Sequence, residues 1–410
     1  MRETARRVAH SAWRLLPQEF RRDAMAGVAA TLGRKPDARP PAVSQGVIVA
    51  GDVGGANGLA ESARLIHDSA ARHGFSRGLV PLGLPSVVPP PNAAALAPDA
   101  ALIAVVNAPI LPVGLLRFPK NFLAGRRVIG VWAWELPVLP GHWKHGATFA
   151  HEVWAPSKFT AAAIETLAPG RVRVVPYPLA AAPLAVTGGR ATLGLPADKM
   201  IVLTVFNLAS SMARKNPLGA IAAFRAAFGD SDEHLFVLKL SGIDDFPDDV
   251  ARLRAAIGPA TNIRLMTETL SEPDLRGLIA ASDIVLSLHR SEGFGLIPAA
   301  AMLLGRPVVA TNWSGNVDFM TAETSALISY RLIPVIDPRG NYQLPGAVWA
   351  EPDIEDAAAW LRRLAGDAGL RAAMGAAGQA LAHEKMGEAP LLAALAANGI
   401  APIGRPGAAA

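Results

Sequence analysis

Short apolar runs recur along the chain and alternate with longer stretches of helical periodicity. GVIVAG (46–51), ALIAVVNA (101–108), RRVIGVWAWE (126–135), EVWAPS (152–157) and RVRVVPYP (171–178) predict a first set of buried strands. Runs of this length, bounded by turn residues, suit strands covered on both faces. Between them LAESARLIHDSAARHG (59–74) and KFTAAAIETLA (158–168) predict helices. A second set follows: MIVLTVF (200–206), HLFVLKLS (234–241), NIRLMT (262–267), DIVLSL (283–288) and RPVVAT (306–311). Helices are predicted near 216–228, 246–257, 272–281, 296–304 and 355–366. Strand–helix alternation of this kind builds parallel sheets with right-handed crossovers. The expected fold is α/β, with two Rossmann-like doubly wound domains facing across a cleft. Ligands of such sheets bind beyond the carboxyl ends of the strands.

The segments outside this alternation set the expected domain plan. LAAAPLAVTGGRATLGLP (179–196) is small, rich in Pro and Gly, and poorly periodic. It divides a first domain (44–180) from a second (197–385), with 181–196 as the linker. Residues 386–410 are expected to form a tail with little pattern, frayed from about Ile403. Residues 1–43 are expected to form a basic helical arm interrupted at Pro17, then a linker at RKPDARPPA (34–42). Two readings of the arm stand together: an anchor on anionic lipid, or a helix packed on the body with solvated arginines.

Composition narrows the classes. The net charge of +5 resides entirely in the arm, where nine basic and four acidic side chains fall within residues 1–43. A body without net excess argues against nucleic-acid binding, whose basic footprint lies on the folded domain. With no cysteine, disulfides and thiolate chemistry are excluded. No apolar run approaches the length of a spanning helix, and a cytoplasmic location is expected.

The candidate chemistry lies just after strands. In SLHRSEGFGLIPAAAM, Gly293 and Gly295 permit close backbone approach, and the following helix offers free N–H groups to a phosphate or sugar hydroxyls. Glu292 stands at the mouth of this turn, where it can accept hydrogen bonds from a polyol; a solvated Glu at a tight turn is the plain alternative. In FNLASSMARKNP (206–217), Arg214 and Lys215 precede a predicted helix start at Asn216-Pro217. Two cations there oppose the helix dipole unless an anion is shared. GDVGGANGLAESAR (51–64) is a glycine-rich loop opening a helix, without the spacing of a dinucleotide motif. In VIGVWAWELP (128–137), Trp132 and Trp134 alternate and suit either a sugar platform or a core strand, with Glu135 on the opposite side. His289 is the histidine expected nearest the cleft. The DSD at 230–232 reads as a solvated loop rather than a metal site.

Taken in order, NGLAESAR, GVWAWELPVLPGHW, EVWAPSKF, RVVPYP, SSMARKNP, SLHRSEGFGL, GRPVVATNWSGNVDFM and VWAEPD resemble the retaining glycosyltransferases of family 4, which have the GT-B fold. The branch that adds sugars such as mannose in bacterial surface-polysaccharide assembly is especially similar. The resemblance implies a nucleotide-diphosphate sugar, GDP- or UDP-linked, as donor on the second domain. It implies a glycan or lipid-linked acceptor on the first, with no resident cofactor or metal. It also implies that Arg214 and Lys215 hold the donor diphosphate, that Glu292 contacts the sugar, and that Gly293, Phe294, Gly295 and Leu296 form the turn facing sugar and phosphate. Gly58 corresponds to the loop glycine near the phosphates, and Trp134 or Glu135 occupies the region of the reacting carbon. Two positions depart from the pattern. Ala60 replaces a common glycine, and Ala300 replaces a second Glu that grips the nucleotide ribose. A non-catalytic sugar-nucleotide binder and an epimerase are the alternatives this departure leaves open.

Overall fold

The computed structural model describes residues 16–55, 57–84, 87–92 and 96–404. The first domain runs α1 (Gln18–Leu32), β1 (Ser44–Gln45), β2 (Val47–Gly51), α2 (Gly58–Arg72), β3 (Ser76–Pro81) and β4 (Ala101–Val105). It continues through α3 (Leu111–Leu115), β5 (Val128–Val131), β6 (Glu152–Ala155), α4 (Lys158–Glu165) and β7 (Val172–Val174). The second runs β8 (Met200–Asn207), α5 (Met212–Lys215), α6 (Pro217–Phe228), β9 (His234–Ser241), α7 (Pro247–Ile257), β10 (Ile263–Met266) and α8 (Glu272–Ala281). It continues through β11 (Ile284–Ser287), α9 (Leu296–Leu303), β12 (Val308–Thr311), β13 (Ala326–Ile328), β14 (Tyr330–Pro334), β15 (Val348–Pro352), α10 (Ile354–Gly366) and α11 (Ala368–Lys385). Helix α12 (Ala389–Ala397) and β16 (Ile400–Ala401) follow.

Each domain holds a six-stranded parallel sheet, in the orders β3-β2-β4-β5-β6-β7 and β10-β9-β8-β11-β12-β13. Strands β2 and β4 are buried at every position, as the unbroken apolar runs demand. Local signals fix the helix starts that face the cleft. The Asn57 side chain accepts from the N–H groups of Leu59 and Ala60, and Ser157 Oγ accepts from that of Thr160. Both are side-chain caps that satisfy otherwise orphaned donors.

The carboxyl-terminal segment differs from the patternless tail expected of it. Leu391, Ala394 and Leu395 of α12 are buried, and β16 pairs in parallel with β1, Ser44 opposite Ile400. The chain therefore returns to the first domain, where Glu388 accepts from Ser69 (3.0 Å) and Arg72 Nε (2.9 Å) and meets His73 at 2.7 Å. One hydrophobic cluster spans both domains, joining Val49 and Ile66 to Phe294, Ala299 and Met302 through Met386 and Leu391. The predicted linker is anchored too: Arg190 pairs with Asp283 at 2.7 Å, and Thr187 donates to Asp274 at 2.6 Å.

Of the arm, residues 1–15 lie outside the described residues, and α1 starts directly after Pro17. It packs its small face, Ala26 and Ala29, on the first domain, while Phe20, Met25, Val28 and Leu32 face solvent. Asp23 holds His145 at 3.1 Å and Lys144 at 3.5 Å, and Arg22 donates to Asn341 Oδ1 of the second domain at 2.8 Å. Among the described residues, no helix is long and apolar enough to cross a membrane.

Candidate functional site

The carboxyl ends of β8 and β11 bring the basic pair and the acid together. After β8 the chain turns at Ser211, whose φ is +69°, into the single turn of α5. Asn216 is left-handed at φ +52°; its carbonyl oxygen caps α6 at Gly219 N and its amide donates to Leu288 O at 3.0 Å. Arg214 and Lys215 thus close α5 as well as flank α6. The anion that the sequence argument required is a side chain of the protein itself. Glu292 Oε2 lies 3.2 Å from Arg214, and Glu292 Oε1 is bonded to the Lys215 ammonium. Glu135, from the loop after β5, adds a second carboxylate 3.5 Å from Arg214.

The two cations have different environments. Arg214 is 2% exposed. Its guanidinium donates to the carbonyls of Ser210 (3.1 Å) and Ser291 (2.8 Å) and lies 5.3 Å from the centre of the Tyr342 ring. The Lys215 side chain is 20% exposed and has Glu292 as its hydrogen-bonding partner. Burial would raise the Glu292 carboxyl, but Lys215 and then Arg214 outweigh it and hold it down at about 2. Burial lowers the Lys215 ammonium, with Arg214 adding to the fall and Glu292 opposing it. Burial works against the Arg214 charge as well, yet Tyr342, Glu135 and Glu292 hold its pKa above the ordinary value.

The Gly293–Gly295 turn is buried against the first domain. Gly293 O accepts from Ser157 Oγ (2.6 Å) and Thr160 Oγ1 (3.1 Å). A Cβ at Gly293 would stand 3.0 Å from Trp134 O, a tight contact set by the approach of the other domain. The Phe294 ring packs edge-on to Tyr177 at 5.0 Å and against Phe319 at 5.1 Å. Gly295 takes φ +103° and opens α9 without a side-chain cap, leaving the N–H groups of the helix start unclaimed by any such group. Gly58 faces this start: its Cβ would lie 3.4 Å from Leu296 Cδ1. Ala300 is buried in the shared core on the second turn of α9.

Several expectations change here. Trp132 and Trp134 are core residues rather than a sugar platform: both pack edge-on against Trp143, at 5.9 and 5.2 Å, and Trp134 Nε1 donates to Val138 O. His289 lies buried beneath the turn rather than in the cleft, between Ser287 Oγ and Asn316 Oδ1, both at 3.0 Å. Sequence reasoning missed Tyr342, whose ring covers Arg214. It missed Ser314, whose Oγ accepts from Glu292 N at 2.8 Å and whose φ is +79°. Ser157 and Thr160 were visible only as the start of a helix; their second role depends on a domain contact that no local pattern encodes.

Comparison with known proteins bears on the fold and on the second domain. Residues 201–339 match the family Glycosyl transferases group 1. The D-inositol 3-phosphate glycosyltransferase of Salinispora arenicola (strain CNS-205) is 30% identical over 189 residues, 45% of this chain and 38% of that protein. The enzyme of that name from Arthrobacter sp. (strain FB24) is 32% identical over 127 residues, 31% of this chain and 30% of that protein. The chain thus matches well under half the length of these curated relatives. The crystal structure of HepE from Anabaena with UDP and glucose superposes with a TM-score of 0.60 at 17% identity, covering 86% of this chain and 99% of that one. Sucrose-phosphate synthase from Thermosynechococcus elongatus gives 0.63 at 15% identity, covering 86% and 98%. The chain has the GT-B fold, and its residues 201–339 are similar to the group 1 glycosyl transferases.

Proposed function

We propose that the protein moves a hexosyl group, mannose being the sugar its sequence resemblance favours, from a GDP- or UDP-linked donor to a glycan or lipid-linked acceptor, with retention at the anomeric carbon. The observation that carries this reading is the cluster of Lys215, Arg214 and Glu292 at the carboxyl ends of β8 and β11. A diphosphate takes the place of Glu292 on Lys215, and Glu292, released, accepts from sugar hydroxyls. Lys215 and the uncapped start of α9 then stabilise the charge that grows on the leaving diphosphate. Arg214, held by protein groups, keeps the turn in place. Glu135 stands on the acceptor side of the same cluster. HepE and its UDP complex support a nucleotide-sugar donor by likeness of fold.

The acceptor reading adds a surface. Helix α1 packs over the loops that follow β4 and β5, at the carboxyl edge of the first sheet. It turns Phe20, Met25, Val28 and Leu32 outward, beside exposed Arg34, Lys35 and Arg39. An apolar face flanked by cations suits an anionic cytoplasmic leaflet, which would place the enzyme peripherally at the inner membrane face in polysaccharide assembly.

A thermal-shift panel of nucleotide sugars tests the donor, because a ligand of the folded state alone raises apparent stability. The positive nucleotide sugar should release its sugar slowly without acceptor, and Lys215→Met and Glu292→Ala should abolish that release. A panel without any stabilising nucleotide sugar would refute the reading. For the surface, co-flotation with anionic vesicles should be lost in Met25→Glu/Val28→Glu; unchanged flotation would remove the membrane part alone.

A further inference from the structure

Strand β9 carries one residue that its core does not explain. Its side chains alternate between two hydrophobic clusters: Phe236, Leu238 and Leu240 enter one, Leu235 and Val237 the other. The next position on the Leu235–Val237 side is Lys239, 4% exposed. Strand pairing sets it opposite Val205 of β8 and Met266 of β10. It shares that face of the sheet with α8 and α9, whose Leu278, Ile279, Ala299 and Ala300 line the same cluster. Its ammonium donates to Leu240 O at 2.7 Å and has no ion-pair partner within 4 Å among the described residues. Glu268, just past the end of β10, is exposed and acts on it only at longer range. An ammonium offers three donors, so two have no protein acceptor, and burying an unpaired cation is costly.

The position is what gives this cost a use. Lys239 is the last buried residue on its face of β9, where the next residue on that face, Ser241, is exposed. That edge also carries Arg214 and Lys215, after β8, and Glu292, after β11. With the sugar at Glu292 and the diphosphate at Lys215, the nucleoside runs either past β12 or past β9. The Gly293 turn beside Glu292 is closed by Ser157, Thr160 and Trp134. The β9 side is where an unsatisfied hydrogen-bond donor waits, on the sheet face whose cluster also takes in Ala300. A methyl group there binds no ribose hydroxyl.

We propose that Lys239 recognises the nucleoside of the donor, donating to ribose or base oxygens and supplying from the sheet the polar contact that Ala300 cannot supply from α9. The inference rests on the donor reading above. It makes Lys239 a determinant of nucleotide affinity that is separate from the diphosphate site.

The test compares binding of UDP, GDP and inorganic pyrophosphate to the full-length protein by titration calorimetry. Lys239→Met keeps the length of the stem and removes the charge, so the packing between β8 and β10 persists; unchanged thermal unfolding confirms this. One or two charge-assisted hydrogen bonds correspond to a roughly tenfold to hundredfold weaker Kd for the preferred nucleoside diphosphate, with pyrophosphate binding unchanged. Lys215→Met should weaken both ligands. Undiminished nucleotide binding by Lys239→Met, or equal weakening of nucleotide and pyrophosphate, overturns the assignment while leaving the donor reading intact. If the unaltered protein binds neither UDP nor GDP, the donor reading falls and the assignment with it. Lys239→Gln, which keeps a donor amide, should recover part of the lost affinity; no recovery despite a native unfolding profile counts against a hydrogen-bonding role.

Discussion

Replacing Glu292 by Gln removes the shared counter-ion of Arg214 and Lys215 while keeping the shape of the turn. The carboxyl is held at about 2 in the folded protein, against an ordinary value of 4.5. This gap corresponds to roughly 3 kcal/mol of stabilisation at neutral pH. Because the folded value is the depressed one, the contribution is complete above about pH 4.5 and is lost as pH falls through about 2. Near pH 3 the same relation leaves roughly half of it. Glu292 is almost fully covered, so solvent screening removes little of this. Urea denaturation of both proteins at a series of pH values, followed by tryptophan fluorescence, gives the difference directly. The wild-type protein should exceed Glu292→Gln by about 3 kcal/mol at pH 7, with the gap roughly halved at pH 3. A gap that does not change with pH would show that Glu292 is not the acid holding the two cations, and the site built around it would have to be redrawn.

Other perturbations probe the surrounding contacts. Gly293→Ala pushes a methyl group against Trp134 O at 3.0 Å and should cost about 1–3 kcal/mol, read as a lower midpoint in thermal unfolding. Ser157→Ala and Thr160→Ala should each lower the same midpoint, and combined they should be non-additive, since both donate to Gly293 O. Glu61 is pushed up to about 7, by burial first and by Glu272 next, against the pull of Arg64 and Arg276. A raised carboxyl is destabilising when it ionises, so the wild-type protein should lose stability as pH rises from about 4.5 through about 7. Glu61→Gln should flatten that slope, measured as the midpoint difference between pH 5 and pH 8.

Ten of the twelve strands in the two large sheets follow from apolar runs bounded by turn residues. The two that do not, β3 and β13, are edge strands of their sheets. SRGLVP carries an arginine and a glycine and is mostly half-buried, while ALI is three residues long; neither presents the pattern of a strand covered on both faces. Helices α11 and α12 escaped for another reason. On α11 the buried positions are mostly small, Gly375, Gly378 and Ala382 beside Met374, while α12 buries Leu391 and Leu395 but is apolar nearly all round, so that no stripe stands out in its sequence. A Cβ at Gly375 would fall 2.2 Å from Gly305 O, so backbone contact sets its identity. Periodicity reports side-chain volume facing a core and is silent where the core is a neighbouring backbone.

The candidate site shows the same divide at the level of charge. In the sequence, Arg214 and Lys215 are equivalent: adjacent cations before a helix. Burial separates them. Arg214 sits among two backbone carbonyls, two carboxylates and an aromatic face, a set that suits a planar, multiply donating guanidinium. Four of these partners, Ser291, Glu292, Glu135 and Tyr342, come from three segments distant in the chain. These contacts tie the Glu292 turn to α5 and to the loop after β5. Lys215 has a flexible stem, a compact charge and a carboxylate partner, so it can exchange that partner for another anion without disturbing the backbone. The helix-dipole argument correctly demands an anion at this point, but it treats the anion as external. Glu292 fills the place in the free protein, so any diphosphate must compete with an internal carboxylate held at about 2. Acidification toward that value weakens the competitor but protonates the ligand as well, and so offers no gain. For the proposed diphosphate site this favours exchange of partners at neutral pH, and of the two cations paired with Glu292 it is the partly exposed Lys215 whose single carboxylate partner can be exchanged.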